Sequence, residues 1–191
     1  MIVETEHTPN PDTLKFLPGQ KVSEIGPVEC LKNDQSIKIP LAKKILSLDG
    51  TLMVFFGEDF ITVKKEKNLN WENLKHGIIS EINDYYSKGN NVVVRKDVKL
   101  AEASKKIDPV NRPDGSNDII NKINEILDTK IRPAVARDGG DITFKSFSNG
   151  IVTVELKGSC SGCPSSIMTL KQGVQNLLCH YIPEVKSVEA N

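Results

Sequence analysis

The chain has 191 residues, 38% apolar and 26% charged, enough apolar material for packed cores and too much for a disordered chain. Its 25 Lys and Arg balance 25 Asp and Glu, so net charge draws it neither to nucleic acid nor to an anionic membrane. No apolar run approaches the roughly 20 residues that span a bilayer. The opening MIVETEHTPNP lacks the basic start, apolar stretch or Arg-rich pattern of a signal or transit peptide, so a reducing compartment is expected.

The length suits one large domain or two small ones, and the residue pattern divides it. Residues 5–12, with Pro9, Asn10, Pro11 and Asp12, read as a turn after an apolar start at Ile2 and Val3. Residues 13–17 alternate like a strand and stop at Pro18-Gly19. Pro40 suits the first turn of a helix, with Leu41, Ile45 and Leu48 following at helical spacing. Residues 52–56 and 60–64, joined by Gly57-Glu58-Asp59, predict a β-hairpin. Asn70 is placed to cap a helix whose apolar face is Trp71, Leu74, Ile78, Ile82 and Tyr85.

The character changes after Tyr86. Residues 88–116 are polar, broken only by Val92-Val93-Val94, and end in Pro113-Asp114-Gly115-Ser116; they read as a linker. Asn117 then caps a helix with Ile119, Ile120, Ile123, Ile126, Leu127 and Ile131 on one face, kinked at Pro133 and stopped at Asp138-Gly139-Gly140-Asp141. Residues 142–147 and 151–157 read as strands around Ser148-Asn149-Gly150, a hairpin turn whose Asn and Gly tolerate positive φ. A loop follows, Gly158-Ser159-Cys160-Ser161-Gly162-Cys163. Pro164 then opens a helix with Ile167, Leu170, Val174, Leu177 and Leu178 on one face, and residues 185–190 form a last strand. The expected fold is α+β: two small α/β domains, 1–87 and 117–191. The second is ordered helix-strand-strand-helix-strand, with the cysteine loop before its second helix.

Four cysteines in such a chain argue against a disulfide framework and for metal or redox use of the clustered pair. Two thiols separated by two residues can chelate one metal ion. Pro164 at the first helical position leaves Cys163 at the cap, where the helix dipole favours thiolate, the metal-binding form. The expected picture is an exposed loop that presents deprotonated sulfur. Two sulfurs leave a zinc or iron–sulfur site half built, because such sites typically take four protein ligands. Cys179 lies 16 residues beyond Cys163, about 24 Å along a helix. Cys30 sits in the other domain, and His7, His76 and His180 are scattered. Two copies about a two-fold axis, each bringing Cys160 and Cys163, would supply four thiolates to one shared cluster.

Other readings of the pair stay open at this point. An intramolecular zinc site lacks its second ligand pair. A thioredoxin-like oxidoreductase expects a βαβ context, whereas here a hairpin precedes the motif and proline follows it. Cys30 and Cys179 read as small buried hydrophobes, and Trp71 as core. Asp138 and Asp141 read as shaping the glycine turn, since hard carboxylates suit a soft cluster poorly.

The run from Ile131-Arg132-Pro133 through Asp138-Gly139-Gly140-Asp141 to GSCSGCPSS, then Ile167-Met168-Thr169-Leu170-Lys171 and Tyr181-Ile182-Pro183-Glu184-Val185, closely resembles the C-terminal domain of NifU-like (Nfu-type) iron–sulfur scaffold proteins. The stretch from His7-Thr8-Pro9-Asn10-Pro11-Asp12 to Phe16, with Pro18-Gly19, is similar to the N-terminal domain that accompanies it. The resemblance covers nearly the whole chain. It implies a non-enzymatic carrier that holds a 4Fe-4S cluster, or a 2Fe-2S cluster, between protomers of a homodimer. Cys160 and Cys163 would be the cluster and metal ligands. The implied partners are upstream cluster-assembly proteins and apo iron–sulfur clients, with no nucleic acid and no membrane. Transfer would proceed by exchange of Cys160 and Cys163 for client thiolates, and the N-terminal domain would dock or orient. A bacterial member would be cytoplasmic, and a processed eukaryotic one would lie in the mitochondrial matrix. The runner-up is a thiol–disulfide oxidoreductase using the same pair.

Overall fold

A computed structural model describes residues 2–34, 37–95, 116–162 and 164–190. The chain divides into two compact units, Met1–Ala103 and Ser104–Asn191.

In the first unit, β1 (Glu4–His7), β2 (Thr13–Leu17), β3 (Val28–Leu31), β4 (Thr51–Phe56) and β5 (Ile61–Lys65) form one sheet in the order β1-β2-β5-β4-β3. Every pairing is antiparallel. The register lines up Leu14, Val63, Val54 and Cys30 in one row across the sheet, and Phe16, Ile61, Phe56 and Val28 in the next. All eight side chains are buried and share one core with Leu41 and Ile45 of α1 (Pro40–Ser47) and Ile78 and Ile82 of α2 (Trp71–Ser87). Both helices therefore pack on one face of the sheet. Pro40 supplies a preset φ at the start of α1. The Asn70 side chain caps α2 by accepting the Glu72 N–H at 3.4 Å.

Residues 88–95, the head of the expected linker, run against this core. The N–H groups of Val93 and Val94 both donate to the Val22 carbonyl at 3.0 Å, and both side chains are buried. Residues 96–115 of that stretch lie outside the described residues.

The second unit runs α3 (Ser116–Ile126), a π-helical turn (Leu127–Ile131), α4 (Arg132–Arg137), β6 (Gly140–Ser148), β7 (Ile151–Gly158), α5 (Pro164–Tyr181) and β8 (Ser187–Ala190). The π-helical turn sits just ahead of Pro133. A proline has no N–H to give the carbonyl four residues back, here Thr129, and its ring crowds that group. A widened turn absorbs the conflict, and the helical path continues to Arg137.

The sheet order is β6-β7-β8, antiparallel between β6 and β7 and parallel between β7 and β8, with α5 as the crossover. Asn149 and Gly150 close the β6–β7 hairpin with φ of 53° and 84°, the two positive values that a two-residue turn requires. A bulge lies between Phe144 and Ser146, so Ser146 pairs with Thr153 and Phe147 with Val152. The extra residue returns Phe147 to the face of Phe144 and Ile142, which simple alternation would deny it. That face packs on Ile123, Leu127, Ile131, Val135, Val174 and Leu178 from the helices.

Candidate metal centre

The cysteine loop begins where the β6–β7 ladder ends, at the pair Gly140 and Gly158. Gly158 has a φ of 67°, a left-handed conformation that turns the strand back on itself. Ser159 then makes two ties to the α4–β6 turn. Its N–H donates to the Gly139 carbonyl at 3.2 Å, and its hydroxyl donates to the Asp138 carbonyl. Cys160 follows with its side chain folded inward.

The expected exposed presentation of sulfur fails at this residue. Cys160 is 4% exposed and belongs to the core cluster of the second unit. The reason lies across the ladder at Gly140. A Cβ there would stand 2.8 Å from Cys160 Sγ and 2.6 Å from the Lys157 carbonyl oxygen, so the bare backbone is the seat that the sulfur occupies. Cys163, the second expected ligand, lies outside the described residues, as do the side chains of Pro164, Ser165 and Ser166.

The seat is braced from α4. Arg132 grips buried Asp141 with two bonds, Nε to Oδ1 at 2.8 Å and Nη2 to Oδ2 at 2.9 Å, and reaches Asp128 Oδ1 through Nη1 at 3.0 Å. Hydrogen bonding to the Asp141 carboxylate raises the pKa of the guanidinium further above its ordinary value. This fork fixes the residue next to Gly140, and it commits Asp141 to a structural role. Asp138 contributes its backbone carbonyl to the same turn.

The remaining cysteines, Cys30 and Cys179, lie outside the loop. Cys30 is buried in the core of the first unit, where burial, with smaller contributions from Asp34 and Glu29, pushes its thiol up to about 12. Cys179 is half-buried against the second core. Among the described residues, no group of three or more His, Cys, Asp or Glu side chains could hold a metal ion. Ser159 and Arg132 stand inside the sequence motifs, where neither carries a signal of its role. The Arg132–Asp141 fork spans nine residues and a turn, a separation that no periodicity reveals.

The second unit matches the family model described as NifU-like domain over residues 123–189, and the first matches Scaffold protein Nfu/NifU N terminal over residues 3–89. The chain is 43% identical over 190 residues to the NFU1 iron-sulfur cluster scaffold homolog, mitochondrial, of Homo sapiens, covering 99% of this chain and 71% of that protein. The chain belongs to the Nfu family of iron–sulfur cluster scaffold proteins. It is also 42% identical over 191 residues to NifU-like protein 4, mitochondrial, of Arabidopsis thaliana, covering 99% of this chain and 65% of that one. This Nfu chain thus spans about two thirds of the length of these relatives. A solution NMR structure of a NifU-like protein from Saccharomyces cerevisiae is similar at 24% identity with a TM-score of 0.46, over 51% of this chain and 87% of that one. No described helix of this Nfu chain is long and apolar enough to cross a membrane.

Thiolate sulfur is the ligand that iron–sulfur clusters take. The carboxylate nearest the motif on β6, Asp141, is spent on Arg132.

Proposed function

We propose that the chain is an iron–sulfur cluster carrier that holds a 4Fe-4S cluster between two copies and passes it to apo-proteins. The observation that carries this is a ligand count. Of four cysteines, only Cys160 and Cys163 share one loop, and a cluster takes about four thiolates. A two-fold pair of chains supplies them; one chain does not. Membership of a scaffold family and the names of the relatives support the cargo.

The cluster is cargo rather than resident machinery. Handing it on by ligand exchange requires client thiolates to displace Cys160 and Cys163 in turn. The first unit, with Cys30 in its core, serves docking or orientation. Upstream assembly proteins load the carrier, and apo iron–sulfur clients receive from it. The relatives are named as mitochondrial; for this chain we place the work in a reducing compartment, the mitochondrial matrix or a bacterial cytoplasm.

A thiol–disulfide oxidoreductase using the same pair is not favoured, because the first unit matches a family described as a scaffold protein and the human relative is named an iron-sulfur cluster scaffold homolog. Anaerobic reconstitution with iron and sulfide, followed by Mössbauer spectroscopy, tests the proposal. It should show the 4Fe-4S signature. Insulin reduction with no iron uptake would overturn it in favour of the oxidoreductase.

A further inference from the structure

A carrier has to offer sulfur to its cargo, yet Cys160 is 4% exposed. Its neighbour Ser159 ties the backbone beside it to the α4–β6 turn. Ser159 is 2% exposed, so water does not compete for its hydrogen bonds, and both bonds described above run to the turn at Asp138 and Gly139. Its Oγ also lies 3.8 Å from Cys160 Sγ. The far side of the seat is held by the Arg132–Asp141 fork. The near side is flanked by glycines in the left-handed region, Gly158 at φ 67° and Gly162 at φ 74°, where the backbone swings without a Cβ penalty. One wall is braced and the other is tied by Ser159.

We infer that Ser159 is a positioning residue, a latch that keeps Cys160 seated against Gly140 and whose release exposes the sulfur for loading; this rests on the carrier reading. Local opening of this kind draws on contacts far fewer than those of the whole unit, so it occurs without global unfolding. With the latch closed, an empty carrier shields Cys160 from oxidants. With it open, the sulfur is within reach of iron.

The test is labelling of Cys160 by iodoacetamide in the full-length, reduced, iron-free chain, with tandem mass spectrometry to separate Cys160 from Cys163 in their shared tryptic peptide. Losing one buried hydrogen bond should speed Cys160 labelling about fivefold to tenfold in Ser159→Ala. Ser159→Thr, which keeps the hydroxyl, should stay near the unaltered rate. Amide exchange at Val154, in the middle of β7, should not move. Equal Cys160 rates in the Ala variant and the unaltered chain would overturn the latch, and so would Val154 exchange that quickens in parallel, since that is general loosening. Should Ser159→Ala fail to fold, the unaltered chain decides the matter. Low urea should leave the Cys160 rate nearly flat while Val154 exchange climbs, and a Cys160 rate that climbs with it would overturn the latch. Iron uptake is measured on unlabelled aliquots of the same preparations, so failure of the carrier reading shows there and not in the labelling rate.

Discussion

A methyl group on Gly140 would stand 2.8 Å from the sulfur of Cys160, closer than real side-chain carbons approach. The Lys157 carbonyl oxygen, 2.6 Å from the same point, is backbone and yields little. Gly140→Ala should therefore evict Cys160 from its seat and cost roughly 1–3 kcal/mol, the usual penalty for overpacking. Exchange of the β7 amides and iodoacetamide labelling of Cys160 measure the two effects. Unchanged protection with unchanged labelling would mean that the seat has slack.

The Arg132–Asp141 fork joins a partly exposed guanidinium to a buried carboxylate. Removing the cation leaves that carboxylate without its charged partner, which is costly in a buried setting. Arg132→Ala should destabilise the second unit by about 2–3 kcal/mol, discounted from the fully buried case because Arg132 is one third exposed. Urea unfolding followed by circular dichroism checks it. Replacing Asp128, the exposed partner of the same arginine, should cost under about 1 kcal/mol.

Cys30 stays a thiol to about pH 12 in the fold, against an ordinary value of 9.0. As pH rises past 9 the unfolded chain loses this proton while the folded chain keeps it. Stability is thus full below pH 9 and falls above it, by at most about 1.4 kcal/mol per pH unit. Urea titrations at pH 7, 9 and 10, read by Trp71, the single tryptophan, should show the fall. Cys30→Ala should remove most of it, leaving the smaller share at pH 10 that comes from buried Tyr86, whose hydroxyl is also pushed up by burial. Cys30 should also resist alkylation at neutral pH.

Much of this architecture was legible in the chain, and the exceptions share a cause. The helices at Pro40, Asn70 and Pro164 announced themselves by proline or a capping side chain, and the Asn149-Gly150 hairpin by its turn residues. Strand β1, Glu-Thr-Glu-His, was not legible, because an edge strand with little burial carries no apolar alternation. Phe147 sits out of phase until the bulge near Ser146 is known. Val93 and Val94 looked like an interruption in a polar linker and are core. At the candidate site the motif was plain in sequence, whereas the burial of Cys160 depends on Gly140, twenty residues upstream and one strand away. Pairing across a sheet, not spacing along the chain, creates that contact.

The division of the chain is open to a direct check. We propose that residues 117–191 fold alone, since one core serves that unit. Fragments of the first unit ending at 95 and at 87 should differ, because the shorter one loses buried Val93 and Val94. The difference should be about 3 kcal/mol by transfer of two valine side chains, measured by urea unfolding. Equal stabilities would mean that residues 88–95 are dispensable.

The central claim is that two chains share one cluster through Cys160 and Cys163. Sedimentation velocity of the reconstituted full-length protein, with iron, sulfide and protein measured on the same fractions, tests it most directly. We expect a dimer carrying one cluster per two chains, reverting toward monomer when iron is chelated. Cys160→Ala and Cys163→Ala should each abolish the cluster, whereas Cys30→Ala and Cys179→Ala should retain it. A monomer that holds a full cluster, or full retention in Cys163→Ala, would contradict the account.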